Sequence, residues 1–264
     1  MTLTALLSPE RRGERDFLLQ VPDGWQQGRG LFGGVVFGVL VNAMRACEPD
    51  AGRALRSLTA EIPAPVLVGE AEIQVRALRI GNAVSTWTAT LTQRGEACAR
   101  ATGVFGGARV ADRTWWPEPP PRLRDWEAVE VMPVEPPFGP VFAQHFEYRN
   151  VGPWPFSQGN EPSAAGWLRP RLSPDTITPA EIVACVDAWW PAAFATETGP
   201  RPMATVSSTI QLYSHAAPVD TAAPFFHRAR AVAAQDGFIL ETRELWSLAG
   251  ELLATNQQTF VIIK

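Results

Sequence analysis

The side chains able to do chemistry in this 264-residue chain are scattered along it and form no single local motif. Asp187 stands in an otherwise uncharged run, VACVDAWWP, beside Trp189 and Trp190. A carboxylate on the flank of a helix is ordinarily solvated. Buried among apolar groups, it would instead titrate above its usual range and suit proton transfer. The residue types leave both readings open. Gly33 and Gly34 open an apolar stretch, LFGGVVFGVLVNAMRAC, long enough for a helix. First-turn backbone N–H groups lack intrahelical partners and can bind an anion or an oxyanion, while close approach of helix to sheet explains glycines equally well. Arg76 and Arg79 can meet phosphates or simply face solvent. Other chemistries lack their residues. There is no GxSxG nucleophile elbow. Cys47, Cys98 and Cys185 fit no CxxC pattern and no disulfide framework. His145, His215 and His227 stand apart from any cysteine or carboxylate cluster, so no metal site is expected, and no cofactor is implied.

These residues need elements to hold them, and the sequence offers a repeat. The stretch Gly81–Thr102 matches Asp236–Gln257 at a constant offset of 155, with Gly95 on Gly250, Glu96 on Glu251 and Ala99 on Ala254. Each copy alternates apolar and polar residues on both sides of a Gly-containing turn, the pattern of a β-hairpin. Upstream of the first copy lie DFLLQVP, the apolar helix, and strand-like runs at 55–63 and 68–78. Upstream of the second lie VFAQHFEYRNV and AAGWLRPRL as strands, then a helix in TPAEIVACVDAWW, then the strands ATVSSTIQLYSHA and FFHRARAVAA. Thr178-Pro179-Ala180-Glu181 is a capping box with proline at the first helical position, and Pro191 is expected to stop that helix. Two copies of a helix plus four or five antiparallel strands predict an α+β architecture, each helix wrapped by a sheet. Boundaries follow: one unit over 1–110, a proline-rich linker over 111–140, and a second unit over 141–264. The linker's Trp115, Trp116, Trp126 and Phe138 are expected to pack on the body of the protein.

Composition excludes several classes. With 46% hydrophobic and 19% charged residues the chain is globular, not disordered. A net charge of −4 gives no reason to expect nucleic acid as a partner. No apolar run is long enough to span a membrane, and the N-terminus carries no signal-peptide pattern. A reducing cytoplasm is the expected location.

The order of these segments resembles the acyl-CoA thioesterase II family over nearly the whole chain. Phe32-Gly33-Gly34 opening a helix, Ser57 with Pro65, Leu78-Arg79-Ile80-Gly81 before a long hairpin, an aspartate late in the second helix, and the AT-x-Q pattern near the end carry the resemblance. It implies a double hot-dog fold and hydrolysis of an acyl-CoA, without metal or redox cofactor, in a homodimer or higher homo-oligomer. It also implies a water-holding Asp, Thr and Gln, which fall on Asp187, Thr205 and Gln257. Aligning His215 instead would move the hydroxyl to Ser207. Strand parity puts Thr205 and Ser207 on one face, Ser208 on the other, and only one of Gln257 and Gln258 inward. Gly33 and Gly34 would bind substrate. In the repeat, Gln257 corresponds to Thr102 and Asp187 to Asn42, so one active site per chain is expected, in the second half. Two rivals stand beside this reading: a non-catalytic acyl-CoA or lipid binder on the same fold, and a hydratase or dehydratase. The latter would need a histidine near a helix, and all three histidines fall in strand-like runs.

Overall fold

A computed structural model describes residues 1–113, 115–117, 125–213 and 219–263. His215 and the 118–124 part of the proline-rich stretch lie outside the described residues. The first half runs α1 (Leu3–Leu6), β1 (Glu10–Arg11), β2 (Asp16–Val21), β3 (Gln26–Gln27), β4 (Gly30–Leu31), α2 (Gly33–Cys47), β5 (Ala54–Glu61), β6 (Gly69–Ile80), β7 (Val84–Gln93) and β8 (Glu96–Gly106). The second runs β9 (Phe146–Asn150), β10 (Ser163–Pro170), α3 (Pro179–Asp187), β11 (Met203–Leu212), β12 (Phe225–Gln235), β13 (Phe238–Trp246) and β14 (Leu252–Ile262). VFAQHFEYRNV is therefore only half strand: Val141–His145 is a 3-10 helix, and pairing with β10 begins at Phe146.

Twelve strands form one antiparallel sheet in the order β1-β2-β6-β7-β8-β5-β11-β14-β13-β12-β10-β9. The order β2-β6-β7-β8-β5 in the first half recurs as β10-β12-β13-β14-β11 in the second, and each set has its helix between the first and second strands in sequence. The halves join where β5 pairs with β11, from Ser57↔Gln211 to Glu61↔Ser207. Local chemistry sets the hairpins. Arg94-Gly95 and Asp236-Gly237 both take positive φ at two successive residues, the turn whose twist suits a two-residue hairpin.

The two helices lie inside the sheet, which accounts for their weak amphipathicity. Every residue of α3 from Ala180 to Asp187 is buried, and so is α2 from Gly33 to Val41. They run antiparallel in direct contact. A Cβ on Gly34 would stand 2.7 Å from the Ala184 carbonyl oxygen, and one on Gly38 would stand 2.9 Å from that of Ala180. Glycine is thus required for backbone-to-backbone approach, which brings the start of α2 to the end of α3.

α3 stops four residues short of Pro191. Trp190 precedes that proline and is biased away from helix, and the Arg243 guanidinium donates to the free carbonyls of Val186 (3.4 Å) and Asp187 (3.1 Å). α1 fills the opposite end of the helix pair. Leu3, Leu6 and Leu7 are buried, Thr4 donates to Glu181 (3.1 Å), and Asn42 donates to the Leu7 carbonyl (2.9 Å). Of the linker aromatics, Trp126 is gripped by the body, with the guanidinium groups of Arg149 and Arg169 each 4.5 Å from its ring. Trp115 and Phe138 are over four-fifths exposed, and Trp116, half exposed, meets the edge of Tyr213.

The helix contact makes one expectation concrete. Gly38→Ala adds a methyl against a carbonyl oxygen that moves only if α3 moves. The contact outweighs alanine's helix preference of ~1 kcal/mol, and the net loss is about 1–3 kcal/mol, read as a lower urea midpoint at unchanged m.

Candidate functional site

Asp187 is the last residue of α3 and is 6% exposed. Its carboxylate accepts the Gly34 N–H at the start of α2. Its Oδ1 also accepts from Gln258 Nε2 at 3.0 Å and faces Arg243 Nη1 at 3.5 Å. Its Oδ2 lies 3.0 Å from where a Cβ on Gly33 would stand. Gly33 lines a large apolar cavity, so the missing side chain leaves the carboxylate an opening toward it. Burial pushes the Asp187 pKa up, opposed by Arg243, Gln258 and the Gly34 amide.

The same Gln258 amide donates its other proton to Thr205 Oγ1 at 2.6 Å. Asp187, Thr205 and Gln258 therefore form one connected group. Gln257 does not join it. Gln257 is exposed, while Gln258 is buried in phase with Asn256 and Phe260 on the inner face of β14. The expectation for Gln257 is corrected to its neighbour, and strand parity is the reason. Parity also fails at β11. A bulge between Thr205 and Ser207 leaves Val206 without a partner on β14. Thr205 pairs with inward Phe260, Ser207 with Thr259 and Ser208 with inward Gln258. An inserted residue reverses the alternation, so Thr205 and Ser208 face inward together and Ser207 faces away. Thr205, not Ser207, meets the glutamine.

Four further side chains support the group. Asn256 Nδ2 donates to Gln258 Oε1 (2.9 Å), and Ser208 Oγ donates to Asn256 Oδ1 (2.8 Å). Arg243 Nε donates to Glu241 Oε1 (2.8 Å), whose second oxygen takes the Ala192 N–H (2.6 Å). All are buried. In the sequence Glu241 and Arg243 read as ordinary alternating hairpin residues. The signal was their phase with Ile239 and Leu245, which are inward.

The cavity measures about 580 Å³, inside the ~300–1,000 Å³ range of small-molecule sites. Thr205 and Ala188 line it, with Ile62, Val66, Phe142, Trp189, Trp190, Met203 and Phe260 among its apolar walls. Arg29, at the tip of the β3–β4 hairpin, is the one charged side chain among the described residues that line it. Arg76 and Arg79 point elsewhere: both are exposed on β6, and Arg76 borders a separate polar groove of about 650 Å³ with Arg12 and Arg100. That groove holds none of the connected group. His227 stacks on Trp189 and approaches the Val186 carbonyl (3.3 Å); burial holds its pKa well below the ordinary value. His145 stacks on Trp25 and bonds Gly24 O. Neither lines the cavity. Among the described residues no group of three or more His, Cys, Asp or Glu could hold a metal ion, and no helix is long and apolar enough to cross a membrane.

This sheet-and-helix arrangement is that of hot-dog proteins. A hot-dog protein of unknown function from Alicyclobacillus acidocaldarius superposes with a TM-score of 0.87 at 22% identity, covering 99% of this chain and 98% of that one. A putative thioesterase II from Thermobifida fusca gives 0.85 at 22% identity over 100% and 98%. The tesB protein of Mycobacterium avium subs paratuberculosis gives 0.78 at 18% over 99% and 98%. No curated protein matches the sequence. The acyl-CoA thioesterase N-terminal domain matches residues 21–106, and the acyl-CoA thioesterase C-terminal domain matches 111–262. The chain belongs to the acyl-CoA thioesterase family, and its activity is that of a thioester hydrolase.

Arg243 is the cation in contact with Asp187, so its removal has a signed consequence. In Arg243→Gln the Asp187 carboxyl titrates at higher pH than in the wild type, followed by 13C NMR of aspartate-labelled protein. An unchanged titration would mean that burial alone sets it.

Proposed function

We propose that the protein hydrolyses acyl-CoA by direct attack of a water held between Asp187 and Thr205, with no covalent intermediate. The observation that carries this is one amide, Gln258, donating to both Asp187 Oδ1 and Thr205 Oγ1 beside an apolar cavity. Thr205 accepts from Gln258, so its own proton and a lone pair remain for a water. Asp187, held above the ordinary carboxylate range, is suited to accept that water's proton. The water oxygen bonds to the acyl carbon and the C–S bond breaks. The proton taken by Asp187 passes to the departing thiolate. A thiol pKa of ~8.5 makes that departure undemanding, so no strong general acid is required. The free first-turn amide of Gly33 offers a donor for the developing oxyanion.

The apolar walls fit an acyl chain, and Arg29 at the rim fits a phosphate of the CoA moiety. We take the chain as a double hot-dog, supported by the repeated strand order, with units over 1–110 and 141–264 joined by the proline-rich 111–140. A homodimer or higher oligomer in a reducing cytoplasm belongs to the same reading, supported by the family resemblance and by three unpaired cysteines.

The test is thiol release from short, medium, long and aromatic acyl-CoAs. Wild type releases thiol; Asp187→Asn loses about 10²–10⁴-fold in kcat while still binding acyl-CoA. Gln258→Ala is impaired and Gln257→Ala is not. Tight binding without release by the wild type would leave a non-catalytic acyl-CoA binder, and undiminished release in Asp187→Asn would remove Asp187 from the mechanism.

A second measurement addresses the rim. Arg29→Ala raises KM for acyl-CoA and leaves hydrolysis of the matching acyl-N-acetylcysteamine unchanged. An equal effect on both substrates would assign Arg29 to the acyl end.

A further inference from the structure

The hydrogen bonds behind the site run in one direction, and that direction matters. A glutamine amide has two faces of opposite character, a carbonyl that accepts and an NH2 that donates twice. With Asp187 ionised, Gln258 serves the site in one orientation, with both N–H groups toward Asp187 and Thr205. Turned over, its oxygen would face a carboxylate oxygen. What holds it is Asn256, two residues earlier on the same face of β14, whose Nδ2 donates to Gln258 Oε1 at 2.9 Å. Asn256 in turn accepts from Ser208 on the neighbouring strand. Neither Asn256 nor Ser208 lines the cavity, and both are buried to 2% exposure or less.

We propose that Asn256, backed by Ser208, is a positioning residue that fixes the Gln258 amide with its donors toward Asp187 and Thr205. This rests on the reading of Asp187, Thr205 and Gln258 as the water-holding group. The chain Ser208→Asn256→Gln258→Asp187 is satisfied at every link when Asp187 is ionised. The reversed chain is satisfied when Asp187 carries a proton to donate to the turned amide. Asn256 therefore couples the sense of the whole chain to the charge of the carboxylate. The groups that face Asp187 from neighbouring elements are Arg243 and Glu241 on β13 and Tyr148 on β9, with His227 on β12 behind the Val186 carbonyl. Asn256 approaches from β14 and reaches Asp187 only through Gln258.

The test uses Asn256→Leu, Gln258→Leu, the double variant, and the near-isosteric Asn256→Asp, each with its thermal midpoint recorded. Asn256→Leu lowers kcat about tenfold to a hundredfold with KM within about twofold. The double variant is no slower than Gln258→Leu alone, the non-additivity expected of residues acting through one another. Independently of turnover, 13C titration of Asp187 moves to higher pH in Asn256→Leu, and further in Asn256→Asp, whose acceptor-only side chain draws the amide away from Asp187. An unchanged kcat, a multiplicative loss in the double variant, or an unmoved Asp187 titration would overturn the proposal. If the wild type releases no thiol, the hydrolytic reading fails by itself, and the titration still decides whether Asn256 orients the amide.

Discussion

The carboxylate of Asp187 sits where two helix ends meet, and the rest of the site depends on that junction. The C-terminal end of a helix carries partial negative charge, an unfavourable place for a buried anion. The start of α2 supplies the compensation: its dipole is of opposite sign and its Gly34 N–H reaches the carboxylate. This requires the helices to run antiparallel and to touch, which is what Gly34 and Gly38 permit against Ala184 and Ala180. It also requires both halves of the chain. The first contributes Gly33 and Gly34; the second contributes Asp187, Thr205 and Gln258. The β5–β11 pairing that merges the sheets keeps these contributions in register.

The repeat shows why this hydrogen-bonded group occurs at one end of the helix pair. At the offset of 155 that relates the hairpins, Gln258 corresponds to Gly103, whose Cα faces the Met44 side chain in the core. Asn42, aligned with Asp187, spends its amide on the Leu7 carbonyl. The space at that end of the helix pair is taken by the leucines of α1, while Thr4 occupies the capping glutamate of α3. One end of the helix pair is a filled core and the other borders the cavity.

How much of this was legible in the sequence varied with the physics behind each signal. Both helices, the hairpins and their turns were plain, because apolar period and glycine-marked turns are local. The glutamine was legible in principle. Phe260 and Ala254 are in phase with Gln258, whereas Gln257 is in phase with Thr255 and Thr259, and parity alone assigns the inward residue. The choice between Thr205 and Ser207 was not, since the bulge at Val206 has no glycine or proline to announce it and shows in the β14 register. The short C-terminal stop of α3 depended on Arg243, 56 residues away, capping its carbonyls. Long-range capping of that kind leaves no mark in the local sequence.

The charge arithmetic of the buried cluster bears on what Asp187 can do. Arg243 is shared by two carboxylates, with Glu241 taking the shorter contact at 2.8 Å and Asp187 the longer at 3.5 Å. A carboxylate fully neutralised by its own arginine would be a weak base, its pKa driven down by the close cation. Here Glu241 takes the closer contact with the guanidinium, and burial still pushes both carboxyls up. For Asp187, Arg243 opposes the rise that burial causes without cancelling it. The hydrogen bonds from Gln258 and Gly34 also lower its pKa without adding charge, and Oδ2 lies beside the bare Cα of Gly33, which lines the cavity.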